Sequence, residues 1–281
     1  MSRKEAIGRI AARIPKREVI GRTASRAAWE LTRFTVRHEI DDPQDYFGDA
    51  KDHLADGGGS LIIIVNHFDR LDTTIIGHVI EQNLTTLDRV GGVASLKYID
   101  PARNKLISLV IDHVRQAKGF SIIPVIQDIP EELEHYTKNP EAIAGKSPRR
   151  FNLEAMKDAI EWLRKPGSVL MIAPEGTRSP NRKLLKAHEG LDSIMRMSRR
   201  NALMFPIALV PPDTRRIVPP YTKVRVIPGQ LFSLEDVLQE QEKEAKAPGR
   251  EKLVPTLTDR MMLRLARLLP PKNQGYYRPF I

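Results

Sequence analysis

The chain has 281 residues, 41% apolar and 28% charged, which allows one large domain with a sizeable core and excludes a disordered or collagen-like chain. It contains no cysteine, so disulfides, thiolate metal sites and a cysteine nucleophile are excluded. The net charge of +10 with histidine neutral suits an anionic partner (nucleic acid, anionic lipid or an acidic substrate), or else serves only solubility.

In chain order, residues 1–39 read as basic helix. Ile7, Ile10 and Ile14 share one stripe, with Arg3, Lys4, Arg9 and Arg13 largely elsewhere, and Pro15 redirects the chain. From Val19 to Val36 a second stripe carries Ile20, Ala24, Ala27, Leu31 and Phe34. Such a segment fits either a lipid interface or a helix packed on the core with its cations in water. The stretch has no uninterrupted signal-peptide core, and no run in the chain reaches the ~18–20 apolar residues of a membrane span, so a soluble or peripheral protein is expected. Residues 41–60 are rich in turn formers and end in Gly57, Gly58 and Gly59, a boundary between an N-terminal region (1–57) and the main domain (58–281).

Past that boundary "LIIIV" reads as a strand buried on both faces, followed by a helix that begins near Asp72. "VGGVASLKYI" is a strand, residues 102–117 a helix, and "GFSIIPVI" a short apolar strand. Residues 127–151, with Pro130, Pro140, Gly145 and Pro148, read as loop. A helix over 153–164 takes Asn152 as its N-cap. "VLMI", a polar loop, a helix at 187–200 and the strand "ALMFPIALV" come next. "YTKVRVIPG" alternates as a strand, 234–247 is a charged helix, and a basic amphipathic helix at 257–269 precedes an irregular tail. Strands alternating with helices predict an α/β fold, a mostly parallel central sheet flanked by helices, with basic amphipathic helices at both ends.

Two polar clusters follow apolar strands, where open α/β sheets bind ligands. In "NHFDRLD" the strand stops at Asn66 and His67, and Asp72 follows. Of the seven histidines only His67 has an aspartate five positions on. An imidazole takes a proton from a hydroxyl near neutral pH if its other nitrogen is held in the right tautomer, and a carboxylate can do that. In "APEGTRSP" an acid, a glycine, a hydroxyl and a guanidinium stand in succession, Glu175 to Arg178. Arginine suits a phosphate through paired hydrogen bonds, and Gly176 lets backbone approach a ligand. Glu175 either holds the loop or meets a substrate hydroxyl. A strand-to-helix corner and a surface turn are the plainer alternatives.

Together the clusters resemble the glycerolipid acyltransferase family, in particular bacterial 1-acyl-glycerol-3-phosphate acyltransferases. The histidine–four residues–aspartate block is matched by His67 and Asp72. The proline-glutamate-glycine-threonine-arginine-serine block is matched by Pro174, Glu175, Gly176, Thr177, Arg178 and Ser179. Pro206 fits a fourth, weaker block, and "LLPPKNQGYY" looks like the family's closing segment. The resemblance spans roughly 58–232 plus that tail. It departs at the second block, where the family's phosphate-binding arginine is replaced by Val125; Arg149 or Arg150 would then supply a cation, unless they are solvated loop charges.

The resemblance implies acyl transfer from acyl-CoA or acyl carrier protein to the hydroxyl of a lysophospholipid acceptor. His67 would be the base, Asp72 its partner, and Asn66, Glu175, Gly176, Thr177, Arg178 and Pro206 the substrate site. No cofactor, metal or covalent enzyme intermediate is implied, and no nucleophile elbow is present. Other acceptors (glycerol-3-phosphate, another lipid or sugar hydroxyl) stay open, as does a non-catalytic lipid-binding role. A cytoplasmic protein, peripheral on the anionic inner face of the cell membrane and held by its basic ends, is expected. Nucleic acid is not, since no binding signature accompanies the charge.

Overall fold

The computed structural model describes residues 37–55, 59–69, 71–100, 120–198, 202–210, 212, 223–245 and 255–281. Of the helix expected over 1–39, residues 1–36 lie outside these, as does the helix expected over 102–117, and residues 37–39 are strand rather than helix. Seven strands form one sheet: β1 (Arg37–Ile40), β2 (Ser60–Val65), β3 (Val90–Ser95), β4 (Ser121–Val125), β5 (Val169–Ile172), β6 (Ala202–Val210) and β7 (Lys223–Pro228). Their order is β1-β7-β6-β2-β5-β3-β4. All neighbours are parallel except β6 and β7, so β1 and β7 run opposite to the other strands.

The helices are α1 (Tyr46–Ala55), α2 (Asp72–Asn83), α3 (Leu96–Ile99), α4 (Pro130–Lys138), α5 (Pro148–Leu163), α6 (Gly190–Met197), α7 (Leu234–Ala245) and α8 (Leu257–Leu268). The central place of β2 explains why Leu61 to Val65 are all apolar. Ile62 and Ile64 face a layer containing α5, α6 and α8, while Leu61, Ile63 and Val65 face α1 and α2. Both faces are covered, so alternation with polar residues would leave unpaired groups inside. Each such side chain contributes about 1.5–3 kcal/mol on burial.

Several boundaries differ from the sequence reading. Residues 37–55, read as part of the N-terminal region, supply β1, which pairs with β7, and α1, which buries Phe47, Ala50 and Leu54. The stretch 127–151 is largely helical. Pro130 opens α4, and Ser147, not Asn152, caps α5 by accepting from the Arg150 N–H. Proline at the first helical position costs no hydrogen bond, so the prolines read as breakers are helix starters. Asn152 instead bonds both backbone groups of Ile126, at 2.8 and 2.7 Å.

The largest correction concerns α8. Nine of its twelve residues are buried, including Met261, Met262 and Leu265. Arg260 is 4% exposed and reaches Glu244 at 2.9 Å, and Arg264 reaches Glu240 at 2.6 Å. The arginines are matched by carboxylates of α7, and the apolar stripe faces the sheet. This helix is a core element rather than a free cationic surface.

Candidate active site

β2 ends at the centre of the sheet, between β5 and β6, and both neighbours grip the residues that follow it. On the β6 side, Asn66 is 5% exposed; its amide donates to the Leu209 carbonyl at 2.8 Å and accepts from the Leu209 N–H at 2.8 Å. With both side-chain functions committed there, Asn66 extends the sheet rather than facing a substrate. On the β5 side, the His67 N–H donates to Glu175 Oε1 at 3.0 Å, and the Ser179 N–H donates to the His67 carbonyl at 2.9 Å.

The imidazole is held as tightly. His67 Nδ1 lies 3.0 Å from Asp72 Oδ2. That oxygen also accepts from the N–H groups of Phe68, at 2.6 Å, and Asp69, at 2.8 Å. Asp72 is the first residue of α2 and 3% exposed. An acceptor facing three donors places the imidazole proton on Nδ1 and leaves a lone pair on Nε2. Nε2 has no partner among the described residues, and the His67 side chain is 23% exposed. Burial raises the Asp72 pKa, opposed by the hydrogen bonds of His67, Asp69 and Phe68.

After β5 the chain turns sharply. The Gly176 N–H bonds the Ala173 carbonyl at 3.0 Å, and Gly176 has φ +67°. A Cβ there would lie 2.8 Å from the His188 ring, so glycine is needed for both conformation and space. Glu175 is 2% exposed, and its second oxygen accepts from the Leu185 N–H at 2.7 Å. Burial pushes its pKa up to about 7, and the Asp72 charge adds to the rise. Glu175 is thus a brace between the His67 backbone and the loop at 185. Thr177 is exposed, Arg178 is half-buried, and Arg178 carries no ion pair among the described residues.

That loop is itself clipped by the tail. The Leu184 N–H donates to the Asn273 carbonyl and the Tyr276 N–H to the Leu184 carbonyl, each at 2.9 Å. The Tyr277 hydroxyl accepts from the Ala187 N–H at 2.9 Å and lies 3.2 Å from Asp259.

Residues 49–211, more than half of the chain, match the family profile described as Acyltransferase. The chain belongs to the acyltransferase family. No curated protein matches the sequence. Among solved structures the chain is similar to the 1-acyl-sn-glycerophosphate (LPA) acyltransferase PlsC from Thermotoga maritima, at 13% identity and a TM-score of 0.43, over 95% of this chain and 79% of that one.

Within this acyltransferase, His67, Asp72, Glu175, Gly176, Thr177, Arg178 and Ser179 share the carboxyl-terminal edge of β2 and β5. Pro206 does not reach it. It is buried mid-strand beside Ile64, its carbonyl bonded by the Gly229 N–H at 2.8 Å. Its missing N–H falls where the ladder to β7 is interrupted, so its role is packing. Arg149 and Arg150 are exposed in the first turn of α5, which Asn152 ties to Ile126 just past β4. They therefore stand towards the same carboxyl-terminal edge of the sheet as His67, with no bond to the site among the described residues. The braces at Ser179 and Leu185 act through backbone N–H groups, which no side-chain pattern announces.

Proposed function

We propose that this acyltransferase moves a fatty acyl group from a thioester donor, acyl-CoA or acyl carrier protein, to the free hydroxyl of 1-acyl-glycerol-3-phosphate, giving phosphatidic acid. The observation that carries this reading is the state of His67: backbone N–H, carbonyl and Nδ1 are all bonded, and Nε2 alone is left to meet a substrate. Nε2 takes the proton as the acceptor oxygen attacks the thioester carbonyl. Asp72 keeps the tautomer and stabilises the imidazolium. The C–S bond then breaks, and the thiolate recovers the proton from Nε2. Arg178, with Thr177 beside it, holds the acceptor's phosphate, and Glu175 supports that turn.

A membrane surface fits the same reading, because both acceptor and product carry acyl chains. We place the protein on the anionic cytoplasmic face of the cell membrane, with residues 1–36 as the cationic contact. No helix among the described residues is long and apolar enough to cross a bilayer.

The test is an acyl-transfer assay with both donors against 1-acyl-glycerol-3-phosphate, glycerol-3-phosphate and monoacylglycerol, with thiol release followed continuously. Turnover with the first acceptor, reduced to background in His67→Ala, is expected. A His67→Ala protein that keeps its turnover would refute the base assignment. A wild-type protein inert with every acceptor but still binding lipid would favour a non-catalytic role.

A further inference from the structure

The loop that follows the Gly176 turn and the last residues of the chain share a charge pattern that the chemistry above leaves unused. Residues 176–188 carry Arg178, Arg182, Lys183 and Lys186 and no acid. Residues 260–281 carry five Lys and Arg and no acid. Two of these, Arg260 and Arg264, are matched by Glu244 and Glu240. Lys183, Lys186 and Arg278 are exposed and have no carboxylate partner among the described residues.

Backbone hydrogen bonds make one surface of the two segments. Leu184 is bonded to Asn273 and Tyr276 through its N–H and carbonyl, and the Asn273 side-chain amide donates to the Arg182 carbonyl at 2.8 Å. Lys186 Nζ stands 5.9 Å from the centre of the Tyr276 ring, and the Phe280 ring lies 5.9 Å from it as well. Tyr276 is 40% exposed, so an amphipathic ring sits among cations on a fixed frame. The surface adjoins the site, since the Ser179 N–H holds the His67 carbonyl and the Leu185 N–H holds Glu175. Exposed Glu189 bounds the patch where the loop ends.

Such a patch attracts an anionic partner. A bilayer would need an apolar face to insert. Here Leu184, Ala187, Leu269 and Tyr277 are buried, and Ile281 is the exposed aliphatic side chain. A nucleotide would need a concave pocket, whereas these cations stand at exposed positions. Tyrosine and arginine on a rigid frame are the anchors of protein interfaces, and surrounding lysines steer the encounter.

We infer that Lys183, Lys186, Tyr276 and Arg278 dock an acidic protein, the carrier that bears the acyl chain on a flexible thioester arm. This rests on the acyl-transfer reading above and makes the carrier protein, rather than acyl-CoA, the preferred donor. The docked carrier stands beside the site, and its arm crosses the loop to His67.

The experiment measures KM and kcat with a palmitoylated acyl carrier protein and with palmitoyl-CoA, each against 1-acyl-glycerol-3-phosphate. Wild type is compared with Lys183→Glu, Lys186→Glu, Arg278→Glu and the triple variant. Reversed charges face the carrier's acids, so KM for the acylated carrier rises about tenfold in the triple variant. Wild type approaches that value as salt rises. kcat and the KM values for palmitoyl-CoA and acceptor hold, which also shows that the variants are folded. An equal rise for both donors, no rise for the carrier, or a wild type that uses palmitoyl-CoA alone overturns the inference. So does a triple variant that loses only its binding to anionic vesicles, which would make the patch a lipid contact. If wild type turns over neither donor, the acyl-transfer reading fails by itself, and calorimetric titration of the acyl carrier protein still decides the surface. Binding lost in the triple variant sustains it, and unchanged or undetectable binding overturns it.

Discussion

At His67 the local chain has few remaining freedoms, because neighbours on three sides hold its backbone and ring. Asp72 is the least replaceable of them. An Asp72→Asn amide can set its oxygen where Oδ2 stands and keep all three donors, but it loses the negative charge that stabilises the imidazolium and puts an NH₂ at the buried Oδ1 position, which has no partner among the described residues. We expect kcat to fall about 10²- to 10⁴-fold in Asp72→Asn, with both KM values little changed, in the thiol-release assay. Glu175 behaves differently. Its native pKa, pushed up to about 7 from 4.5, exceeds the unfolded value. The folded state therefore holds the proton more firmly, and that stabilisation is complete below 4.5 and lost as pH rises through about 7. The raised Asp72 acts in the same sense. Denaturant unfolding between pH 4.5 and 7 should show stability falling with pH, by at most about 1.4 kcal/mol per unit for one proton. Glu175→Gln should flatten that slope while lowering stability overall, since its NH₂ opposes an N–H donor.

Among the elements, the strands were the most legible. A run such as "LIIIV" has few other ways to be satisfied, and a polar cluster straight after such a run marks the edge of the sheet, as the clusters after β2 and β5 do. The helices were less legible where the cues have two meanings. Pro130 and Pro140 mark breaks in one context and helix starts in another, and only packing distinguishes them. Arginines on an amphipathic stripe suggest a wet face, yet Arg260 and Arg264 are matched by Glu244 and Glu240, which lie 16 and 24 residues earlier. That pairing is tertiary and leaves no mark on α8's own sequence. Asn66 was assigned to substrate but bridges elements. Asn66→Ala strands the buried N–H and carbonyl of Leu209. We expect a loss of about 2–4 kcal/mol in denaturant unfolding.

For the molecule as a whole, charge is the open lever. Residues 1–36 carry nine Lys and Arg against three Glu, most of the chain's net +10. With α8 committed to the core, that stretch is the remaining candidate for lipid contact. The protein should co-sediment with anionic vesicles, be released by salt, and lose the association when residues 1–36 are deleted. Equal binding to neutral vesicles would sink the electrostatic account.

The site also has a birth order. His67 is braced by Glu175, Glu175 by the loop at 185, and that loop by Asn273 to Tyr277. A ribosome delivers these pieces far apart in time, and domains mature as their last contacts arrive. A nascent chain stalled before residue 273 would expose the histidine without its scaffold. Such a chain should be unable to spend acyl thioester on water, and competence should come late and all at once.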